Sequence, residues 1–172
     1  MKIIGSFPKS RLRRLRKSKW IRELITENNL SHNDLVLPIF VRDGKNKVDI
    51  IKTMPGIKRY SVDKLPKILK EVTKYKIPMI ALFPYTPDKK KDKFGKEALN
   101  PNNLICRSLR LIKQKFPNVG VMCDVALDPY TTHGHDGVII KDKIDNDETI
   151  KILKQQALLY AEMGCDVIAP SD

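Results

Sequence analysis

The residues best suited to chemistry lie in one polar segment, residues 124–136, which follows a short apolar run. Its thirteen positions hold three aspartates, two histidines, a tyrosine and two threonines: Asp124, Asp128, Asp136, His133, His135, Tyr130, Thr131 and Thr132. Carboxylates beside imidazoles can transfer protons or bind a divalent metal ion. The alternative is a polar loop whose aspartates cap turns and whose histidines face solvent. The residue types favour a functional loop, but the His-x-His pair alone does not establish a metal site.

A second polar pair, Ser171 and Asp172, follows the last apolar run of the sequence, residues 165–169. Barrel enzymes place their working groups at the C-terminal ends of buried strands. Serine and aspartate are also preferred N-caps of helices. For this pair alone, a helix cap is at least as well supported as a catalytic role.

Four apolar runs must position these residues: 35–41, 78–84, 119–126 and 165–169. The runs start 41 to 46 residues apart. Each is continuously apolar instead of alternating, which is typical of strands buried on both faces of a parallel sheet.

Three helical patterns lie between the four runs. Their apolar stripes are Val62, Leu65, Ile68, Leu69, Val72 and Tyr75, then Leu104, Ile105, Leu109 and Ile112, then Ile150, Leu153, Ala157 and Ala161. Ser61 is predicted to cap the first helix, Pro117 to stop the second and Gly164 to close the third. Strand and helix therefore alternate as βαβαβαβ, which requires a parallel sheet with right-handed crossovers.

Two further segments, residues 43–55 and 86–103, are predicted to be loops, and the lysine run Lys89 to Lys91 is predicted to be a solvated loop tip. Four βα units do not close a (β/α)8 barrel, which needs eight strands and about 250 residues. An open, doubly wound sheet of four strands can be complete by itself. The periodicity alone leaves both architectures open.

The composition is that of a soluble globular protein, with 41% apolar and 31% charged residues among 172. No apolar run approaches the length of a membrane span, and the basic N-terminus has no apolar stretch of a secretory signal behind it. Three scattered cysteines indicate reduced thiols in a cytoplasm. The net charge of +13 suggests a nucleic-acid-binding protein as a weaker alternative, but the basic residues are spread out and no nucleic-acid motif accompanies them.

Residues 124–137 read Asp-Val-Ala-Leu-Asp-Pro-Tyr-Thr-Thr-His-Gly-His-Asp-Gly, which resembles the metal-loop motif of the 5-aminolevulinate dehydratases (porphobilinogen synthases). Further matches follow in order at residues 13–16 with Trp20, 34–41, 54–56, 81–84, Gly95, 100–101, 146–149 and 168–172. The resemblance spans essentially the whole chain. It implies an α/β fold, the first half of a (β/α)8 TIM barrel with four parallel βα units, preceded by an extended N-terminal arm. The implied domains are an oligomerisation arm at 1–30 and a truncated barrel domain at 31–172.

The resemblance also bears on the metal. Zinc-dependent members of the family carry three cysteines in this loop, and the corresponding positions here are Ala126, Asp128 and Asp136. Zinc prefers thiolates in such a site, whereas carboxylates suit hard cations such as magnesium. The sequence therefore resembles the zinc-independent branch: we expect weak magnesium binding at Asp128 and Asp136, no zinc and no organic cofactor. His133 and His135 are then not expected to bind zinc.

The family joins two 5-aminolevulinate molecules into porphobilinogen in tetrapyrrole and heme biosynthesis, through lysines that form Schiff bases with the substrate ketones. In the family pattern those lysines come after position 172. The resemblance implies catalytic roles for Asp124 and Ser171, and substrate binding by Asp128, Asp136 and Tyr130.

We therefore expect the 172-residue chain to be inactive alone. The alternatives are a non-catalytic remnant and one half of a split enzyme that works with its own C-terminal half. The expected partners are 5-aminolevulinate and further copies of the chain in a homo-oligomer, an octamer in the family. Neither nucleic acid nor a membrane is expected, and the expected compartment is the cytoplasm.

Overall fold

The computed structural model describes residues 5–171, which form two compact units, one up to Ser31 and the other from His32 onward. Asp172 and residues 1–4 of the predicted arm lie outside the described residues. Among the helices of the described residues, none is both long enough and apolar enough to cross a membrane.

The first unit contains a 3-10 turn at Arg14–Arg16 and one short helix, α1 (Lys19–Leu24). No residue between positions 5 and 31 is buried. Leu12, Trp20 and Leu24 are each exposed by more than half. The boundary of the arm at residue 30 and its role in assembly stay predictions.

The second unit is an α/β structure. Its helices are α2 (Leu65–Lys74), α3 (Leu104–Lys115) and α4 (Asn146–Glu162). Its strands are β1 (Val36–Arg42), β2 (Val48–Ile50), β3 (Lys58–Ser61), β4 (Met79–Tyr85), β5 (Gly120–Val125), β6 (Ile139–Ile140), β7 (Lys143–Ile144) and β8 (Val167–Pro170). Six of these strands form the central sheet in the order β2-β3-β1-β4-β5-β8, and β6 pairs with β7 separately.

The four strands predicted from the apolar runs are β1, β4, β5 and β8. They are neighbours in the sheet and all pair in parallel. β1 and β4 pair over their full length, from Val36 opposite Met79 to Arg42 opposite Tyr85. One helix separates each successive pair of these strands along the chain, so the prediction of four parallel βα units is confirmed.

The segment 43–55 was expected to be a loop, and this prediction is wrong in part. It contains β2, which pairs antiparallel with β3, and β3 pairs in parallel with the last three residues of β1. A strand of three residues is too short to show an alternating pattern, and pairing with β3 stabilises it. The two-residue strands β6 and β7 were missed for the same reason.

The core is formed by the sheet together with the apolar faces of α2 and α3. The buried side chains of this cluster include Ile39, Val41, Leu65, Leu69, Val72, Ile80, Leu82, Leu104, Ile105, Leu109, Ile112, Val121, Cys123 and Val125. The stripe predicted for α3 is buried throughout. Its N-cap is Asn103, whose side chain accepts a hydrogen bond from the Cys106 amide.

The start of α2 differs from the prediction. Ser61 does not cap α2, because a 3-10 turn at Val62–Lys64 comes first and the Ser61 hydroxyl donates to the Lys47 carbonyl instead. At the other end Tyr75 is largely exposed, so the buried stripe of α2 ends at Val72.

The orientation of α4 is the largest correction to the helix predictions. Asp145 caps the helix by accepting from the Glu148 amide, and Gly164 follows its end at a φ of +94°, where glycine is favoured. Ile150, however, is exposed, while Gln156 and Tyr160 are fully buried. Leu153 and Ala157 of the predicted stripe pack against the core, whereas Ala161 is exposed. The helix therefore buries Gln156 and Tyr160 together with only part of the predicted apolar stripe.

Candidate active site

Asp124 and Ser171 lie side by side where two neighbouring parallel strands end. In the pairing of β5 with β8, Asp124 stands opposite Ala169 and Val125 opposite Pro170. The Ser171 hydroxyl donates a hydrogen bond of 2.6 Å to the Asp124 carboxylate. The sheet thus brings together two residues that are 47 positions apart in the sequence.

A tight turn follows β5 and carries the next carboxylate. The Leu127 carbonyl accepts hydrogen bonds from the amides of Tyr130 and Thr131, at 2.8 and 3.0 Å. This arrangement places Asp128 at the corner of the turn. We call residues 126–131 the site turn. Its Leu127 and Tyr130 side chains are buried in a small cluster with Ala98 and Val138.

The negative charges of Asp136 and Asp124 act on the Asp128 carboxyl group. Partial burial raises the pKa of Asp128, and the negative charges of Asp136 and Asp124 raise it further, while Lys91 opposes them. A cation placed among these groups would relieve the repulsion. Both an ammonium group and a hard metal ion meet that requirement.

The donor set fits magnesium better than zinc. Ala126, Asp128 and Asp136 offer one methyl group and two carboxylates, and no thiolate. Magnesium is commonly bound through one or two carboxylates with waters completing its shell. Among residues 5–171, no three His, Cys, Asp or Glu side chains come together as a metal-binding group. Asp128 and Asp136 are the residues that could hold a magnesium ion.

His133 has a structural task in the loop. Its Nδ1 accepts a hydrogen bond of 3.1 Å from the His135 amide, and its Nε2 lies 3.3 Å from the Lys93 carbonyl oxygen. Since Nδ1 accepts, Nε2 carries the proton and donates to Lys93. His133 therefore connects the loop after β5 to the loop after β4.

The loop after β4, residues 86–103, is held by ion pairs and is called the β4 loop below. The Lys90 ammonium lies 3.0 Å from the Asp43 carboxylate and 3.2 Å from the Glu97 carboxylate. Asp43 also pairs with Arg107 of α3. Lys90 was expected at a solvated loop tip; instead it joins three segments, and this prediction is wrong.

These ion pairs shift the pKa values of their members in opposite directions. Burial alone would lower the pKa of Lys90, but its hydrogen bonds with Asp43 and Glu97 raise it. Burial would raise the pKa of Asp43, but Lys90 and Arg107 lower it. Lys90 is thus held as an ammonium ion, the opposite of what a Schiff-base lysine requires.

The backbone connects the β4 loop directly to the site turn. The Asp92 amide donates to the Tyr130 carbonyl at 3.2 Å, and the Thr132 amide donates to the Asp92 carbonyl at 3.1 Å. The two loops are therefore joined through their backbones.

Gly137 lies where the loop after β5 returns to α4. A Cβ atom at this position would come within 2.6 Å of Ile144 Cγ2 and 3.0 Å of Thr149 Oγ1. The same Thr149 hydroxyl accepts a hydrogen bond of 2.9 Å from the Val138 amide. Glycine is favoured here because a side chain would collide with Ile144 of β7 and crowd Thr149 of α4.

Tyr130 differs from the other predicted site residues. It is only 2% exposed, and its hydroxyl lies 2.7 Å from the Tyr160 hydroxyl. Its predicted role in substrate binding stays a prediction, and the structure gives it a packing role in addition. Tyr160 and Gln156 of α4 were not among the residues predicted from the sequence. Their spacing of four residues was a usable signal, because it places two polar groups on one face of a helix.

The fold and the site together define an α/β protein of the half-barrel type, with polar groups gathered at the carboxyl ends of parallel strands, where barrel enzymes have their active sites. Residues 9–172 match the family model described as delta-aminolevulinic acid dehydratase. The chain therefore belongs to the delta-aminolevulinic acid dehydratase family.

Individual relatives agree with this assignment. The chain is 53% identical to the delta-aminolevulinic acid dehydratase of Bradyrhizobium diazoefficiens over 162 residues, which is 94% of this chain and 46% of that protein. It is 44% identical to the enzyme of Chlamydia pneumoniae, covering 94% of this chain and 49% of the relative.

A solved structure supports the same family assignment. The delta-aminolevulinic acid dehydratase (porphobilinogen synthase) of Toxoplasma gondii, in complex with the reaction product porphobilinogen, superimposes with a TM-score of 0.90 at 39% identity. The match covers 95% of this chain and 47% of that structure. The chain thus spans about half the length of the relatives that it matches.

Proposed function

We propose that this chain supplies the N-terminal half of a 5-aminolevulinate dehydratase, a lyase that condenses two 5-aminolevulinate molecules to porphobilinogen in porphyrin and heme biosynthesis. The observation that carries the proposal is the 2.6 Å hydrogen bond between Ser171 and Asp124 at the C-terminal edge of the parallel sheet. Family membership supports the choice of reaction.

Each polar group has a distinct task in this proposal. Asp124 transfers protons to and from the substrate, and the Ser171 hydroxyl fixes the orientation of its carboxylate. Asp128 and Asp136 hold the ammonium group of 5-aminolevulinate, since their charges already repel one another. Tyr130 contributes to substrate binding through the shape of the site turn.

The Schiff-base lysines are proposed to come from the other half of the enzyme. The test uses the 172-residue chain, the C-terminal part of the Bradyrhizobium diazoefficiens relative, and their mixture, each incubated with 5-aminolevulinate. We expect porphobilinogen only from the mixture, which we call the two-chain complex. With borohydride we expect no substrate to be trapped on the 172-residue chain alone. A lysine of this chain trapped by borohydride, together with product from this chain alone, would overturn the proposal.

We also propose that, when no substrate ammonium group is bound there, Asp128 and Asp136 bind magnesium weakly and do not bind zinc, and that no organic cofactor takes part. Dialysis of the chain against a mild chelator should leave no stoichiometric zinc. The triple variant Ala126→Cys/Asp128→Cys/Asp136→Cys should retain about one zinc per chain, because it restores three thiolates. Stoichiometric zinc in the unaltered chain would contradict this part of the proposal.

Assembly and compartment complete the proposal. Residues 1–30 contact a neighbouring subunit in a homo-oligomer, an octamer as in the family, which is supported by the exposed apolar side chains Leu12, Trp20 and Leu24. The enzyme works in the cytoplasm, where Cys106, Cys123 and Cys165 stay reduced. Deleting the arm should lower the sedimentation coefficient of the two-chain complex by more than the lost mass explains. An unchanged assembly state would refute the role of the arm.

A further inference from the structure

Helix α4 holds the site turn at two points. Gln156 Nε2 donates to the Ala126 carbonyl at 3.3 Å and to the Tyr160 hydroxyl at 3.1 Å. The Tyr160 hydroxyl in turn lies 2.7 Å from the Tyr130 hydroxyl. One face of α4 therefore contacts both the first residue of the site turn and its fifth.

These groups form a network inside the protein. Gln156 and Tyr160 are fully buried and Tyr130 nearly so. Burial raises the pKa of both tyrosines, so the hydroxyls are neutral hydrogen-bonding groups at physiological pH. Burying an amide and two hydroxyls is costly unless they bind one another, which makes the geometry specific. One atom, Gln156 Oε1, is buried without a protein partner.

We call the Ala126 carbonyl and the Tyr130 hydroxyl the two anchor points. They lie on either side of Asp128, the residue at the corner of the turn. Ala126 lies two positions before Asp128, and Tyr130 two positions after it. Ala126 also lies two positions after Asp124, at the end of β5. A displacement of either anchor would change the separation between the two carboxylates. The hydrogen bonds within the turn do not fix this separation, because they move with the turn.

We infer that Gln156 and Tyr160 are positioning residues for the active-site carboxylates, and that they hold Asp128 at its distance from Asp124 through the Ala126 carbonyl and the Tyr130 hydroxyl. The inference rests on the proposed function for its effect on catalysis. The geometry of the turn can be tested independently of catalysis.

The catalytic test compares Gln156→Met with Gln155→Met in the two-chain complex. Methionine has nearly the volume of glutamine but cannot donate, and Gln155 is an exposed neighbour on the same helix. We expect kcat to fall about 10- to 100-fold in Gln156→Met with little change in KM, the size seen when supporting residues are lost. Gln155→Met should match the unaltered protein. A residue that contributes only stability would lower the melting temperature and leave kcat per folded molecule unchanged.

Tyr160→Phe gives a second and milder perturbation, since it keeps the ring and removes only the hydroxyl. Like Gln156→Met, it should lower kcat. The double variant Gln156→Met/Tyr160→Phe should lower kcat by less than the product of the two single fold decreases, because both residues act through one network. If Gln156→Met does not fold, Tyr160→Phe against a Tyr75→Phe control decides the question.

The geometric test is an amide NMR spectrum of the 172-residue chain at fixed pH. In Gln156→Met and in Tyr160→Phe, the amides of residues 126–128, 130 and 131 should shift and exchange faster with solvent, while those of β1 and β4 stay unchanged. A two-chain complex without product in the unaltered protein would refute the proposed function, and the amide spectra would still decide the positioning role. Unchanged amides in the site turn, or an unchanged kcat in an active complex, would overturn the inference.

Discussion

The two loops at the edge of the candidate site are held by different forces. The β4 loop is held by ion pairs among Asp43, Lys90, Glu97 and Arg107, whose side chains are partly exposed. The site turn is held from α4 by neutral hydrogen bonds whose donors and acceptors are buried. The two loops are joined by backbone hydrogen bonds at Asp92.

This difference predicts how each loop responds to its surroundings. Partly exposed ion pairs contribute little to stability and weaken in salt and in acid. Buried neutral hydrogen bonds are insensitive to both, but they are costly to break because an unpaired group remains inside. The Asp128 carboxylate of the site turn thus keeps a fixed position, while the β4 loop beside it responds to ionic conditions.

The largest loss of stability is expected from the buried hydrogen-bond network between α4 and the site turn. Tyr160→Ala removes a fully buried ring and leaves the Tyr130 hydroxyl without its partner, so we expect a loss of about 3–5 kcal/mol in the free energy of unfolding. Urea denaturation measures it. Tyr75→Ala is the control, since this ring is largely exposed, and should cost within about 0.5 kcal/mol. Equal losses in the two variants would show that the network does not stabilise the site turn.

A smaller, salt-dependent effect is expected from the ion pairs. Asp43→Asn removes the acceptor shared by Lys90 and Arg107 and should cost about 1 kcal/mol or less at low salt. The cost should shrink in about 1 M salt, where screening is strong. Because the folded-state pKa of Asp43 is lowered, its contribution is present at neutral pH and is lost as the pH falls through that pKa. If the loss of stability in Asp43→Asn does not depend on salt or pH, then ion pairing is not the way in which Asp43 stabilises the loop.

The smallest change in the free energy of unfolding is expected from Asp128→Asn, and it should stabilise the protein at neutral pH. Because the folded-state pKa of Asp128 is raised, the stability linked to this carboxyl is present at low pH and is lost as the pH rises through that pKa. Asp128→Asn should match the unaltered protein in acid and be the more stable of the two at neutral pH. Added magnesium should narrow the gap, because a cation relieves the same repulsion. Denaturation midpoints over a pH series test this, and a variant that is less stable at neutral pH would contradict it.

The sequence predicts four of the six strands of the central sheet, β1, β4, β5 and β8, but not β2 and β3. It also predicts that Asp124 and Ser171 lie at one edge of the sheet, because adjacent parallel strands bring their carboxyl ends together. It predicts only part of the buried face of α4. Leu153 and Ala157 of the predicted stripe do pack against the core, but Ile150 is exposed. The burial of Gln156 and Tyr160 depends on hydrogen-bond partners that only the folded site turn supplies. The Asp43–Arg107 pair joins positions 64 residues apart and depends likewise on tertiary structure.

The central claim is that Asp124 is the proton-transferring group of a 5-aminolevulinate dehydratase site at this edge of the sheet. The most direct test is the rate of porphobilinogen formation by the two-chain complex with Asp124→Asn, which keeps the shape of the side chain but removes its charge. The matched control is Asp142→Asn in the turn between β6 and β7, where a φ of +60° suits asparagine equally well. We predict that Asp124→Asn lowers kcat by about 10²- to 10⁴-fold and that the control leaves it unchanged. An Asp124→Asn complex that forms porphobilinogen at the unaltered rate would contradict the account.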